Sequence, residues 1–364
     1  MALGILSRLK LQCTPLRSAV LRIRYDLRRS VQLSWRRRLW AWRHGFTSLS
    51  YLLYELDRND PADYFPDFVD IDYRLVEPAR MRIRDKLYFS RWLASMEIPH
   101  ARVLATLERG RLLPETATPV PVDLAEWLQA NLTERRRLVV KPIHGGGGQG
   151  ILFVTSNDSG LTVNGERRTV KELVTTLRRL NSNLVTGYVE PATYATSMFP
   201  GSANTLRLLT LWDPSADEPF LAAAAHRIGS SRSEPVDNFH GGLGGLSAAV
   251  DLNEGRLGLG ATLGRGGSVQ RFAAHPETGA RIEGVVVPHW SRTRQAILEL
   301  AAALPQYPYV GWDLIVTEKG PVVLEANSPP GTWVWQVNTP LLRDARSRGF
   351  YRAQGMLRGN RKGV

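Results

Sequence analysis

The sequence predicts an α+β protein with a basic helical N-terminal extension. Three observations carry that expectation. Residues 206–212 (LRLLTLW), 220–228 (FLAAAAHRI) and 311–328 (GWDLIVTEKGPVVLEANS) are β-rich runs joined by turn residues. Helical patterns at 170–180 and 291–304 lie among them. Residues 1–45 hold eleven Lys and Arg against Asp26 alone, a local balance of +10 within a net charge of +13. The charge therefore describes an arm, and the remainder is close to balanced. At 364 residues the chain is long enough for two or three packed units and a large core. Its 43% hydrophobic and 22% charged residues are those of an ordinary globular protein. Cys13 stands alone, so the sequence holds no disulfide framework or Cys-based zinc site, which fits a reducing cytosol. No apolar run approaches 18 residues, and Arg8 interrupts the N-terminus too early for a secretory signal.

In chain order, residues 3–58 read as mainly helical. Leu16, Val20, Ile23, Leu27 and Val31 recur at steps of three and four and make one apolar stripe. Arginines with Trp35, Trp40 and Trp42 follow. Two readings stand together: a helix lying on an anionic membrane surface, or a helical lead-in packed on the body with a solvated basic face. A nucleic-acid arm has less behind it, because no recognised module accompanies the charge. Residues 57–68 (DRNDPADYFPDF) are rich in Pro and Asp and read as a linker. Residues 81–106 read as a helix, then Pro99, then a short strand. Proline-rich 111–123 reads as a loop. Residues 138–141 and 151–155 read as strands on either side of a glycine run. Helix 170–180 precedes a strand at 183–191 that ends in a turn. The runs 206–212 and 220–228 suit antiparallel strands, and a glycine-rich loop at 241–245 leads to LSAAVDL. The tail from Leu341 is basic and glycine-spotted and reads as partly loose. No repeat of solenoid period occurs.

The glycine run, VVKPIHGGGGQGILFV, contains a formal G-x-G-x-x-G at Gly145, Gly147 and Gly150. A dinucleotide fingerprint needs a helix after the glycines, and Ile151 to Thr155 is β-rich. A P-loop needs Lys-Ser or Lys-Thr at its end, and Gln149-Gly150 does not supply it. What remains is strand, glycine loop, strand, with Lys141 ending the first strand. Such a hairpin can fold over a triphosphate, since glycines let backbone N–H groups approach phosphate and a lysine adds a mobile charge. A plain flexible hairpin is the alternative.

The 311–328 hairpin carries Asp313, Glu325 and Asn327 inside an apolar run. A turn at Glu318, Lys319 and Gly320, with Gly320 at positive φ, sets Asp313 opposite Glu325 and puts Asn327 on Glu325's face. Two carboxylates roughly 5 Å apart repel by roughly 3 kcal/mol at an effective dielectric near 20, so a cation belongs between them. Three hard oxygen donors suit Mg²⁺ (or Mn²⁺) better than zinc. One or more of them pointing to solvent at a sheet edge is the competing reading.

A lysine with a glycine hairpin, followed by D-x11-E-x-N, resembles the ATP-grasp superfamily. RDK at 84–86, NTLR at 204–207, DNFHGGL at 237–243, HPETG at 275–279, PHW at 288–290 and GWD at 311–313 resemble, in order and spacing, the sugar-transfer-associated ATP-grasp family. It is related to α-L-glutamate ligases such as the ribosomal-protein glutamate ligase. The resemblance covers roughly 75–340. It implies an ATP-grasp fold, two α+β subdomains clasping ATP. The chain then divides into a helical extension and linker (1–75), a pre-ATP-grasp region (76–135), an ATP-grasp domain (136–340) and a basic tail (341–364).

The resemblance also implies roles. Lys86 and Lys141 hold the ATP phosphates, and Gly145, Gly146, Gly147, Gly148, Gln149 and Gly150 form the loop over them. Tyr188 and Val189 make the hinge beside adenine, with Glu190 near the amide or ribose edge. The hinge carries Gly187 where related ligases often have Gln or Glu. Asp313, Glu325 and Asn327 bind two Mg²⁺ ions. Arg207 stabilises the transferring phosphoryl group, Asn238 lies in a loop near the reacting centre, and Arg227 and His226 are further candidates. His275 in HPETG reads as a turn former, and His144 and His240 as residues of exposed glycine-rich loops. His289 with Trp290 reads as packing before a helix.

The expected activity is an ADP-forming carboxylate–amine ligase working through an acyl phosphate, on amino-acid or glycan-linked substrates of surface-polysaccharide work. It is expected in the cytoplasm, at the inner face of the membrane if residues 1–45 bind there. Alternatives are a phosphotransferase on the same fold, or a nucleotide-binding, membrane-associated partner without turnover.

Overall fold

A computed structural model describes residues 15–28, 31–76, 83–158 and 160–357. Of the expected elements, residues 3–14, 29–30, 81–82 and 358–364 lie outside the described residues. The chain divides into two compact units: one of residues 1–81, 193–313 and 326–364, the other of 82–192 and 314–325.

The first unit begins with four helices: α1 (Pro15–Leu27), α2 (Trp35–Arg43), α3 (Ser48–Leu53) and α4 (Asp67–Val76). The expected linker at 57–68 is packed instead. Tyr64, Phe65 and Phe68 are buried, and Phe65 stacks on Tyr351 at 4.1 Å. The Phe65 N–H donates to Gln336 Oε1 at 2.7 Å, and Gln336 Nε2 returns a bond to the Phe65 carbonyl. Pro and Asp serve here as caps. Asp60 accepts from the Ala62 N–H at 2.9 Å and opens a short 3₁₀ turn.

Asp67, at the start of α4, is buried and accepts from the Thr47 N–H (2.9 Å), Thr47 Oγ1 and Trp333 Nε1. Burial pushes its carboxyl up to about 6, against hydrogen bonds from Ser50, Thr47 and Trp333 that pull it down. The folded state thus holds this proton more tightly than the unfolded chain. Its contribution is complete below the ordinary value of 3.8 and is lost as pH rises through about 6. Asp67→Asn removes that titration. Its stability relative to wild type should rise by about 3 kcal/mol from below pH 4 to pH 7, at 1.36 kcal/mol per unit, as read by urea melts across that range. A constant difference would show that Asp67 titrates normally.

The second unit holds α5 (Lys86–Ser95), β1 (Val103–Glu108), β2 (Arg111–Pro114), α6 (Leu124–Arg135), β3 (Arg137–Pro142), β4 (Leu152–Asn157), β5 (Gly160–Val163), β6 (Glu166–Arg167), α7 (Val170–Leu177) and β7 (Asn183–Gly187). Its sheet runs β2-β1-β7-β3-β4-β5-β6 with antiparallel neighbours. Residues 111–114, expected in a loop, pair with β1 because Leu112 enters the core while Pro114 sits at the outer strand's end. In β3, Leu138 and Val140 point into a core with Leu128, Leu173 and Val185. A capping box at Thr169 and Glu172 starts α7.

The first unit resumes with α8 (Thr193–Met198), β8 (Leu206–Asp213), β9 (Glu218–Ile228), β10 (Leu246–Val250), β11 (Leu257–Leu263), β12 (Val269–Phe272) and α9 (Trp290–Ala302). The hairpin β13 (Tyr309–Thr317) and β14 (Gly320–Asn327) follows, with its residues 314–325 counted in the second unit, and α10 (Trp333–Gln336) and α11 (Ala345–Ala353) close the first. The second sheet runs β12-β11-β10-β9-β8-β13-β14. Residues 206–211 of β8 are buried on both faces, which explains its unbroken apolar run. In the tail expected to be partly loose, residues 345–353 form a helix capped by Asp344, whose Oδ2 accepts from the Ser347 N–H at 2.7 Å. Ser347, Phe350 and Tyr351 face the core at helical spacing. Glycines and arginines on the outer side hid that stripe in the sequence. The turn of the last hairpin is two residues, Glu318 and Lys319, where three were expected. Thr317 Oγ1 closes it by donating to the Gly320 carbonyl (2.9 Å) and accepting from the Lys319 N–H.

Candidate active site

In the second unit, Asp85 caps α5 by accepting from the N–H groups of Leu87 and Tyr88 at 3.0 and 2.9 Å, which places Lys86 on the first turn. Lys86 Nζ donates to the Gly145 carbonyl at 2.8 Å and lies 3.6 Å from Glu325 Oε2. The glycine run is a loop between two strands, so the dinucleotide fingerprint is indeed formal. Gly145, Gly147, Gly148 and Gly150 all take positive φ. Nothing lies within 4 Å of where a Cβ on Gly145 or Gly146 would sit. A cation and an open, amide-rich backbone therefore meet at one place. Lys141 sits opposite Leu184 on the neighbouring strand, and Gln149 is exposed. At the hinge, Arg137 stacks 3.6 Å over the Tyr188 ring and binds Glu190 at 2.9 Å. Sequence reasoning gave Arg137 no role, yet it orders both hinge candidates. Val189 is half-buried between them in sequence.

In the first unit, β8 and β13 bring Arg207 to Asp313. Nη1 donates to both carboxylate oxygens at 2.7 and 2.6 Å, and Nη2 donates to the Pro330 carbonyl. Asp313 is 2% exposed. Gly311 is required beside it: a Cβ there would stand 2.5 Å from Pro330 Cβ and 3.3 Å from Arg207 Nε. That Nε is buried without a hydrogen-bond partner. Trp335 Nε1 donates to the Arg207 carbonyl at 2.9 Å, and its ring lies under the guanidinium. Arg227 is the second cation, 3.6 Å from Asp313 Oδ2 and 3.5 Å from Asp237 Oδ1, with Nε donating to Thr205 Oγ1 at 2.9 Å. Asp237 and Thr205 were missed as site residues, although both lie inside quoted motifs. Asp237 also accepts from the Thr205 N–H.

Other candidates have structural work. Asn238 shapes its loop, accepting from the His240 N–H at 3.2 Å through Oδ1 and from the Gly245 N–H at 3.0 Å through its carbonyl. Asn204 is buried and bonded to Ala195, Phe199, Ser202 and Gly229. His275 is buried as a turn former, with Nε2 2.8 Å from the Gly229 carbonyl. His144 is exposed, 3.7 Å from Asp85. His289 caps α9 beside buried Trp290. His226 lies against Tyr194 Oη at 3.0 Å, and burial lowers its imidazole to about 4, so it stays neutral at pH 7.

The proposed metal donors are two carboxylates and one amide, all oxygen, at the end of a hairpin. Among the described residues no cluster of three His, Cys, Asp or Glu forms a ready cage. Oxygen donors of this kind suit Mg²⁺, which takes one or two carboxylates and completes its shell with water and phosphate. In the first unit Asp313 is paired with Arg207, and in the second Glu325 lies near Lys86.

Among solved structures, the chain resembles the ATP-grasp ligase PsnB complexed with minimal precursor (13% identity, 77% of this chain and 63% of that one, TM-score 0.40). It also resembles D-alanyl-alanine synthetase A from Vibrio cholerae (10%, 75% and 65%, 0.42) and D-cycloserine synthetase DcsG (13%, 86% and 82%, 0.41). The chain spans less than two thirds of the length of the first two. At these scores they say nothing of this chain's substrate. No curated protein sequence matches it. The model of the family described as sugar-transfer associated ATP-grasp matches residues 77–347. The chain belongs to that family, with its ATP-grasp fold and its cofactors ATP and Mg²⁺.

Proposed function

We propose that this chain is an ADP-forming ligase that joins a carboxylate to an amine. The observation that carries the reading is Lys86 Nζ on the Gly145 carbonyl, beside glycines whose positive φ and open Cβ positions leave the backbone bare for a polyphosphate. Lys86 and Lys141 bind the phosphates, the loop 145–150 covers them, and Tyr188, Val189 and Glu190 line the base and ribose. Asp313, Glu325 and Asn327 are the proposed Mg²⁺ ligands. The metal supplies charge neutralisation at the phosphate oxygens.

The substrate carboxylate oxygen attacks the γ-phosphorus, the bond to the β,γ-bridging oxygen breaks, and ADP leaves. The amine nitrogen then adds to the acyl carbon, the bond to phosphate breaks, and the nitrogen gives its proton to solvent. Arg207 and Arg227 hold the negative charge that spreads over the transferring oxygens, by position and electrostatics. Asn238 orients the loop that faces the substrate. No protein nucleophile takes part.

The family's description as sugar-transfer associated supports a glycan-linked or amino-acid substrate in surface-polysaccharide modification. The same reading puts the protein in the cytoplasm, at the membrane's inner face, held by the basic N-terminal region. Among the described residues no helix is long and apolar enough to cross a membrane. The test is a Mg-ATP screen of amino acids, uronic acids and amino sugars, scored for ADP against AMP. ADP and phosphate should appear only when carboxylate and amine are both present. A stable phosphorylated product formed without amine would overturn the ligase.

A further inference from the structure

We infer that the outward faces of α1 and α2 form a docking surface for an anionic lipid layer, with Trp35 and Leu39 as the residues that enter it. This rests on the membrane reading above and assigns it to particular side chains. The α1 residues read in sequence as one apolar stripe, and of that stripe Val20 and Leu27 are each 48% exposed. On α2, Trp35 is 64% and Leu39 50% exposed, one turn apart on one face. Of the eleven large hydrophobic side chains exposed among the described residues, these four fall within twenty positions, so the exposure is local rather than scattered.

The adjoining side of α2 is fixed, and the Arg38 guanidinium lies 5.5 Å from the Trp35 ring. Arg38 and Ala41 are buried; Arg38 Nη1 lies 3.3 Å from Asp26 Oδ2 and Nη2 donates to the Val31 carbonyl at 3.0 Å. The outward face therefore has a defined orientation. Around it, Arg24, Arg28, Arg36, Arg37 and Arg43 are exposed. Asp26, the one acid in residues 1–45, is fully buried and also accepts from Trp42 Nε1 and the Ser48 N–H, both at 2.8 Å. Nothing acidic in this segment balances the surface arginines. An interfacial indole flanked by aliphatic side chains and guanidinium groups matches the boundary between headgroups and acyl chains. A single exposed indole among aliphatic side chains offers a nucleic acid no run of stacking aromatics, so the lipid surface is the better fit.

The test uses the full chain and two vesicle types: phosphatidylcholine alone, and equal parts phosphatidylcholine and phosphatidylglycerol. Wild type should pellet with the anionic vesicles only, and less at high salt. Trp35→Ala/Leu39→Ala should weaken that partition by about tenfold or more, and Leu39→Ala alone, at an exposed position, should weaken it in the same direction with an unchanged melting temperature. Arg36→Glu/Arg37→Glu should weaken it by a similar factor. If wild type pellets and Trp35→Ala/Leu39→Ala pellets equally, the assignment to α2 fails while the membrane reading survives. If wild type pellets with neither vesicle, or binds only a single-stranded oligonucleotide, both fall.

Discussion

Arg207→Met is expected to lower turnover about a hundred- to a thousandfold and to destabilise the first unit by about 3–5 kcal/mol. Methionine keeps much of the volume over Trp335. It removes the group that donates to both Asp313 oxygens and to the Pro330 carbonyl. Asp313, at 2% exposure, then keeps Arg227 at the longer distance of 3.6 Å. A buried carboxylate that loses its closest partner carries most of its desolvation cost uncompensated. Arg207→Lys separates the two effects. A point charge can reach Asp313 or Pro330 but not reproduce the planar guanidinium, so stability should partly return while turnover stays low. Urea melts and ADP release at saturating ATP measure the two. A methionine variant that melts like wild type would show that the ion pair is not what holds β8 to β13.

Asp313→Asn is expected to reduce turnover at least a hundredfold and to raise the Mg²⁺ concentration needed for half-maximal rate at least about tenfold. The amide keeps the shape but loses the charge, leaving two arginines around a neutral group. Those arginines then bind anionic substrate oxygens without a counter-charge, so nucleotide affinity at low Mg²⁺ should not fall in proportion to turnover. The check is a Mg²⁺ titration of rate beside a nucleotide-binding titration. Unchanged turnover with an unchanged Mg²⁺ midpoint would remove Asp313 from the metal set. A loss of turnover with an unchanged midpoint would make it solely the partner that aims Arg207.

Much of the architecture was legible because it is written in local pattern. The strand, glycine loop, strand order at 138–155 follows from β-rich flanks and glycines, and the structure keeps it. The antiparallel pairing of LRLLTLW with FLAAAAHRI follows from two apolar runs around a turn. The places where local pattern misled share one cause. At 57–68 and beyond Leu341, Pro, Asp, Gly and Arg suggested loose chain, but Phe65 and Tyr351 stack on each other across the sequence. Aromatic side chains so spaced gain their burial only from partners almost three hundred residues away, which no window can show.

The sequence by itself singled out candidates for the chemistry: a lysine beside glycines and oxygen donors on the last hairpin by residue type and spacing, and two arginines in strands by the family resemblance. Only the tertiary structure decided which charges meet. Arg207 reaches Asp313 across 106 residues, Lys86 reaches the Gly145 carbonyl across 59, and Arg137 takes the hinge residues Tyr188 and Glu190. It also decided that the α1 stripe is not fully covered. Such pairings depend on sheet order and helix docking, which are set by the summed burial of the whole core rather than by any short stretch of chain.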